Sequence, residues 1–379
     1  MNYRTTYLLC FLVVFTYVLN AQDNLTAAIT KVEADKIDKM DPETPTPPEE
    51  EEESPFSISG FVDAYYAYSF NDAAFPTSFT ESLNSFNLGM ANVVFSKEGK
   101  VGFVADIAFG PRAETANGYV NDDGSISSLS LIKQLYVTYS PLEALTFTAG
   151  NFGTHVGYEI IDSPGNINYS TSYMFSNGPF YHTGIKADVS LSESVGLMVG
   201  LFNDTDSKID EVAGKHLGAQ LSFESGDFAG YLNFLSGQEV EETEFTSKMT
   251  SSQIDLTATY QATEALGLGV NATSKSFNTD GGDDASWSGA ALYANYAFSD
   301  GFTLGLRGEY IGDKDGLITG VTDNSLFAFT ASGNFHVGAL TIIPEIRFDS
   351  GKEEATFTAL DGEALKTTSG FIMAIIYAF

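Results

Sequence analysis

From residue 56 onward, apolar positions alternate with small or polar ones at a period of two. Val101, Phe103, Ala105, Ile107 and Phe109 interleave with Gly102, Val104, Asp106, Ala108 and Gly110. Ile185, Ala187, Val189 and Leu191 interleave with Gly184, Lys186, Asp188 and Ser190, and the same rhythm recurs in Leu217–Phe223, Leu266–Ala272 and Phe302–Tyr310. Successive side chains of a strand point to opposite faces, so each segment is a strand with one apolar face and one face that tolerates Gly and charge. The connections alternate between short and long. Tight turns fall at Lys97-Glu98-Gly99-Lys100, Ser192-Glu193-Ser194, Glu224-Ser225-Gly226-Asp227 and Ser299-Asp300-Gly301. Longer polar loops separate them, at 111–128, 203–213, 237–250, 278–286, 312–324 and 350–367. Strict alternation gathers all tight turns at one end, as a transmembrane up-and-down barrel requires and a Greek-key sandwich does not.

The two faces support the same reading. The polar face carries Gly, Thr, Asn and isolated charges, as a wet lumen would. Phe223 and Phe228 flank one tight turn and Phe298 and Phe302 another, where interfacial aromatic girdles are expected. The chain ends with Phe371, Met373, Ile375, Tyr377 and Phe379 on one face, the pattern of a C-terminal strand read by outer-membrane assembly machinery. The fold expected is therefore all-β, a transmembrane antiparallel barrel of about 16 strands over residues 56–379, with 14 or 18 also fitting the pattern. Pro344 lies inside one expected strand, which calls for a bulge or a shifted boundary, because a closed barrel has no edge for a missing N–H.

Composition narrows the setting. Eighteen Lys+Arg against 50 Asp+Glu give a net charge of −32, which repels phosphates and argues against nucleic acid. Residues 1–21, with Arg4 ahead of an apolar stretch from Leu8 to Val18, read as a signal peptide. The single Cys10 falls inside it, so no disulfide is expected. Residues 22–55 hold 11 acids, 3 bases and five prolines, and are expected to be a disordered periplasmic spacer. An even strand number puts both termini of the barrel on the periplasmic side of a Gram-negative outer membrane. The partners implied are the lipid bilayer, small polar solutes or ions, and the barrel assembly machinery, and a homo-oligomer is compatible with all of these.

Several stretches resemble a known family. Ser57-Ile58-Ser59-Gly60-Phe61-Val62-Asp63-Ala64-Tyr65-Tyr66 resembles the opening strand of the OmpL-like β-barrel porins of Bacteroidetes. Gln134-Leu135-Tyr136-Val137, Ala149-Gly150-Asn151-Phe152-Gly153-Thr154, Gly157-Tyr158-Glu159, Asn168-Tyr169-Ser170-Thr171-Ser172 and Gly178-Pro179-Phe180-Tyr181-His182-Thr183-Gly184 resemble its centre. The resemblance runs from about residue 56 to the end and implies an outer-membrane, porin-like channel. At Thr171 the sequence departs from it, since an Arg is usual there, so no charge role is carried over to that position.

Candidate functional residues follow from strand parity and from one long loop. Asp106, Lys186, Asp188, Arg307, Glu309, Glu345 and Arg347 fall on the lumen face, where each is either a constriction charge or half of a structural ion pair. A Lys or Arg on the lipid face would cost about 2–4 kcal/mol at mid-bilayer, which keeps them inward. Loop 153–180 is long enough to fold into the lumen, in which case Glu159 and Asp162 would face basic residues of the wall. No catalytic, cofactor or metal site is expected: His155, His182, His216 and His336 are scattered, and no nucleophile elbow occurs. Asp204-Thr205-Asp206 and Asp313-Lys314-Asp315-Gly316 carry fragments of calcium-loop chemistry without the closing Glu. The function expected is passive diffusion through a water-filled lumen. An envelope-interaction barrel and a barrel hydrolase are the alternatives.

Overall fold

The computed structural model describes residues 56–119, 127–209, 212–243 and 246–379. The expected signal peptide and acidic spacer, residues 1–55, lie outside the described residues.

The first half of the barrel comprises β1 (Ser57–Ser69), β2 (Ser85–Lys97), β3 (Val101–Phe109), β4 (Ile132–Leu142), β5 (Leu145–Gly153), β6 (Tyr181–Ser190), β7 (Val195–Phe202) and β8 (His216–Ser225). The second half begins with β9 (Phe228–Val240), β10 (Met249–Gln261), β11 (Leu266–Thr279) and β12 (Ala285–Ser299). It continues with β13 (Phe302–Asp313), β14 (Asn324–Val337) and β15 (Leu340–Gly351). A two-stranded hairpin, β16 (Phe357–Thr358) with β17 (Ala364–Leu365), decorates the last long loop before β18 (Thr367–Ala378). Among the described residues, the strands other than β16 and β17 form one closed 16-strand barrel. Every strand pairs antiparallel with its neighbours. β18 closes the ring against β1, from Phe61↔Ala378 to Ser69↔Gly370. Closure leaves no unpaired edge, the condition for backbone to sit in lipid.

Alternation sets which face meets lipid. On β10, Gln253, Asp255 and Thr257 are buried inward, while Ile254 and Leu256 stand 58% and 44% exposed on the outside. Leu88, Leu292 and Ile346 are likewise exposed outside. An exposed apolar belt of this extent marks a surface that meets lipid rather than water. Aromatic rings gather at the short-turn end. Phe298 and Phe302 stack at 5.5 Å, Phe302 and Phe335 at 4.7 Å, and Phe223 lies 6.1 Å from Phe228. On β18, Ile375 and Tyr377 point outward with the terminal Phe379, while Ile372, Ala374 and Ile376 are buried inside.

Two local expectations change. Pro344 brings no bulge: β15 pairs Phe335↔Ile342 and Ser332↔Glu345 with one offset, and the ladder to β14 simply lapses between them. The partner on the other side is undisturbed, with Pro344 opposite Met373. The long loops of the second half are also shorter than the polar stretches suggested, whereas those after β3 and β7 are longer. β9 runs to Val240 and β10 begins at Met249, because backbone pairing continues beyond the apolar belt, where polar side chains cost nothing.

Leu256→Arg, at the middle of β10, is expected to destabilise the barrel by about 2–4 kcal/mol. Chemical unfolding in lipid vesicles measures this, and an unchanged midpoint would contradict a lipid-facing Leu256.

Candidate functional site

The loop from Thr154 to Phe180 leaves β5 and returns to β6 at adjacent positions, with Gly153 opposite Tyr181 and Thr154 N–H donating to the Phe180 carbonyl at 3.2 Å. Between those points it crosses the barrel interior. Gly157, at φ 96°, makes a turn that a β-carbon would strain. Its N–H donates to Asp255 of β10 at 3.0 Å. Tyr158 stacks on Tyr293 of β12 at 4.1 Å, and Asn168 donates to Ser332 of β14 at 2.6 Å. A short helix, Tyr173–Ser176, is capped by Ser172, whose hydroxyl accepts from Phe175 N–H at 3.1 Å.

Charged wall residues grip this loop by its backbone. Glu345 accepts N–H bonds from Tyr169 at 2.7 Å and Ser170 at 3.1 Å. Glu309 accepts from Tyr173 at 2.9 Å and Met174 at 2.8 Å, at the start of the short helix. Arg307 donates to the Ser170 carbonyl at 2.7 Å and to Thr171 at 3.2 Å, and Arg347 donates to the same Thr171 carbonyl at 2.9 Å. Thr171 therefore meets cations through its carbonyl. The Tyr169 hydroxyl reaches Asp63 at 2.8 Å, and that of Tyr173 reaches Asp349 at 2.8 Å.

Three ion-pair groups complete the interior. Glu159 pairs with Arg307 at 2.6 Å, with side chains 5% and 0% exposed. Lys133 bridges Asp106 and Asp162, the latter at 2.7 Å. Burial pushes the Asp162 carboxyl above the usual range, against the pull of the Lys133 ammonium. Arg347 pairs with Asp349 at 2.9 Å. Lys186 and Asp188 differ from all of these: they pair at 3.1 Å but stay 27% and 41% exposed, facing open lumen. Beside them His155 is desolvated, which lowers its pKa to about 4 and keeps the ring neutral. A cavity of about 380 Å³ lies between the loop and the β12–β15 wall, lined by Tyr158, Asn168, Asn295, Asn334 and Thr341 among others.

The barrel has known relatives. A family model described as "Putative beta-barrel porin-2, OmpL-like" matches residues 55–379. The chain belongs to this family. Among solved structures, an anion-selective porin from Comamonas acidovorans superposes with a TM-score of 0.62 at 13% identity, covering 86% of this chain and 100% of that one. OmpT in a trimer form, an outer membrane protein of Vibrio cholerae, gives 0.57 at 10% identity, with 86% and 99% covered. The outer membrane channel DcaP of Acinetobacter baumannii gives 0.55 at 13% identity, with 86% and 97% covered. At such identities the likeness is one of fold. No curated protein sequence matches the chain.

Within this OmpL-like porin, the expected lumen residues fall into two sets. Asp106, Glu159, Asp162, Arg307, Glu309, Glu345 and Arg347 converge on the loop, whereas Lys186 and Asp188 stand apart on β6. Lys133, Arg112 and Asp349 belong to the same network and were not anticipated. By parity with the outward Leu135 and Val137, Lys133 should face lipid. A β-bulge between Asp106 and Ile107 turns it inward, since Asp106 pairs with Gln134 and Ile107 with Ile132, skipping Lys133. The cost of a lipid-facing lysine was the available signal. Arg112 arrives on a seven-residue helix, Pro111–Asn117, and donates to the Ile161 carbonyl at 3.0 Å beneath the rings of Phe79 and Tyr169.

Glu159→Ala leaves Arg307 buried without its counter-charge and is expected to cost about 3–5 kcal/mol. Removing both charges, as Glu159→Leu with Arg307→Met, should recover part of it, since the Ser170 carbonyl then lacks its Arg307 donor. Chemical unfolding of the two variants measures the difference, and equal stabilities would mean the pair does not hold the loop.

Proposed function

We propose that this OmpL-like porin is an outer-membrane diffusion channel that passes small polar solutes and ions around an inward-folded loop, without catalysis. The observation that carries this reading is loop 154–180, lodged across a 16-strand barrel by wall charges rather than extended outside it. The arrangement narrows a lumen while leaving polar surface at Lys186 and Asp188. The same reading takes residues 1–21 as an export signal, 22–55 as a periplasmic acidic spacer, and both barrel termini as periplasmic. Phe371, Met373, Ile375, Tyr377 and Phe379 then serve the assembly machinery. The trimer form of the Vibrio cholerae relative makes a homo-oligomer the natural assembly to test.

Charge placement sets the ion preference. Seven of the nine proposed lumen charges are ion-paired or bonded to the loop backbone, so the exposed wall pair, one Lys and one Asp, discriminates weakly. The mouth is acidic instead, since residues 56–379 carry 14 bases against 39 acids. Counter-ions collect there within a screening length of about 10 Å at 0.1 M salt. Mild cation selectivity that fades as salt rises is expected in planar bilayers with a KCl gradient. Asp188→Asn should shift the reversal potential toward anions, whereas neutralising the buried Glu345 should not. Anion selectivity in the unaltered protein would overturn this placement.

A second reading is favoured by one observation: Arg112, Arg307 and Arg347 are each only 1% exposed, so the loop fills much of the interior. A barrel that conducts no ions in those bilayers would be an envelope-interaction protein instead.

A further inference from the structure

Three of the four histidines, far apart in sequence, come together near the long-loop mouth. His182 stacks on Phe202 at 4.5 Å, and His155 lies 5.0 Å from His182 between ring centres. His216, fully buried at the start of β8, sits beside them with two carboxylates of its own. Asp204 comes from the loop that joins β7 to β8, and Glu239 from the inward face of β9. One ligand atom from each of His216, Asp204 and Glu239 lies within 4.8 Å of the others.

The atoms are placed as a cation site would need. His216 Nδ1 is buried and has no hydrogen-bond partner; it faces Asp204 Oδ1 across 3.9 Å. That gap is too wide for a hydrogen bond. A zinc-type ion, at about 2.0–2.2 Å from each donor, spans it. Glu239 Oε1 stands 3.4 Å from His216 Nε2, and the Ser251 hydroxyl donates to the same carboxylate oxygen, which holds this third donor in place. The imidazole is also seated on bare backbone. A β-carbon at Gly237 would fall 2.4 Å from the His216 ring, so only glycine leaves room for it there. Metal ligation requires a deprotonated imidazole nitrogen, so two ionised carboxylates would set the donors' formal charge at −2, matched to a divalent cation. Imidazole nitrogen favours a borderline transition metal over Mg²⁺ or Ca²⁺.

We propose that His216, Asp204 and Glu239 form a binding site for a zinc-type divalent cation, which ties Asp204, just past the end of β7, to the barrel wall at the long-loop mouth. The site is separate from the loop-gripping network and does not depend on the channel reading.

The test is calorimetric titration of chelator-treated, full-length protein in detergent with ZnCl₂, and in parallel with MgCl₂. One saturable Zn²⁺ site is expected, with no comparable Mg²⁺ binding. His216→Gln and Glu239→Gln should each weaken Zn²⁺ by about 100-fold or more. Ser251→Ala, which removes the hydroxyl that positions the Glu239 carboxylate, should weaken it about 10-fold. Heat-modifiable migration, unchanged in the variants, shows that the barrel is intact; if His216→Gln fails to fold, Glu239→Gln and Ser251→Ala carry the test. Absence of saturable Zn²⁺ binding, equal affinity for Mg²⁺, or Zn²⁺ affinity unchanged in the folded variants would each overturn the site.

Discussion

A chain segment that enters a barrel takes its backbone N–H and C=O groups away from bulk water, and each buried group needs a partner. The wall charges of β13 and β15 are arranged around that requirement for residues 169–174. Carboxylates of Glu345 and Glu309 accept four of the N–H groups, and the guanidinium groups of Arg307 and Arg347 meet the carbonyls of Ser170 and Thr171. Ionised partners make shorter, stronger hydrogen bonds than neutral ones, so a few wall residues hold a segment that has little regular structure of its own. The wall charges in turn need the loop. Arg307 loses its counter-ion if Glu159 withdraws, and Glu345 loses two donors if Tyr169 and Ser170 move. Loop and wall are stable only together.

The lipid outside imposes the complementary constraint. Apolar residues on the outward face of every strand leave the interior as the place for charge, which is why a sequence carrying few cations concentrates Lys133, Lys186, Lys275, Arg307 and Arg347 there. Most are then paired. Lys133 shows how strict the rule is: where the alternation would have sent it outward, the β3–β4 ladder gives up one pairing and the side chain turns in toward Asp106 and Asp162.

The barrel was legible from the sequence because its causes are periodic. Alternation gave the strands, turn length gave the up-and-down order, and Phe371 through Phe379 marked the closing strand. The loop's destination was not periodic, and only the pairing of Glu159 and Asp162 with wall cations was anticipated. Its carboxylate partners, Glu309 and Glu345, were legible as inward-facing but not as backbone acceptors, because their roles depend on where Tyr169–Met174 lie. Arg112 was invisible for the same reason: its helix belongs to a different loop that packs against this one. Pro344 misled in the opposite direction. A lapse of the ladder on one side, opposite Gly333 and Asn334, suffices to accommodate it.

Burial also changes what a lumen charge does. A charge exposed to the pore acts on passing ions through its field, whereas one that is paired and enclosed acts on the loop. Strand parity cannot tell these apart, since Lys186 and Arg307 both face inward. The difference lies in what covers them. Loop 154–180 presses on β10–β15, where Arg307, Glu309, Glu345 and Arg347 stand, reaches Asp63 of β1 and Lys133 of β4, and leaves Lys186 and Asp188 of β6 partly open. A single long connection thus divides one ring of inward charges into a structural set and a solvent-facing set. The side of the barrel against which the loop packs decides which residues belong to each.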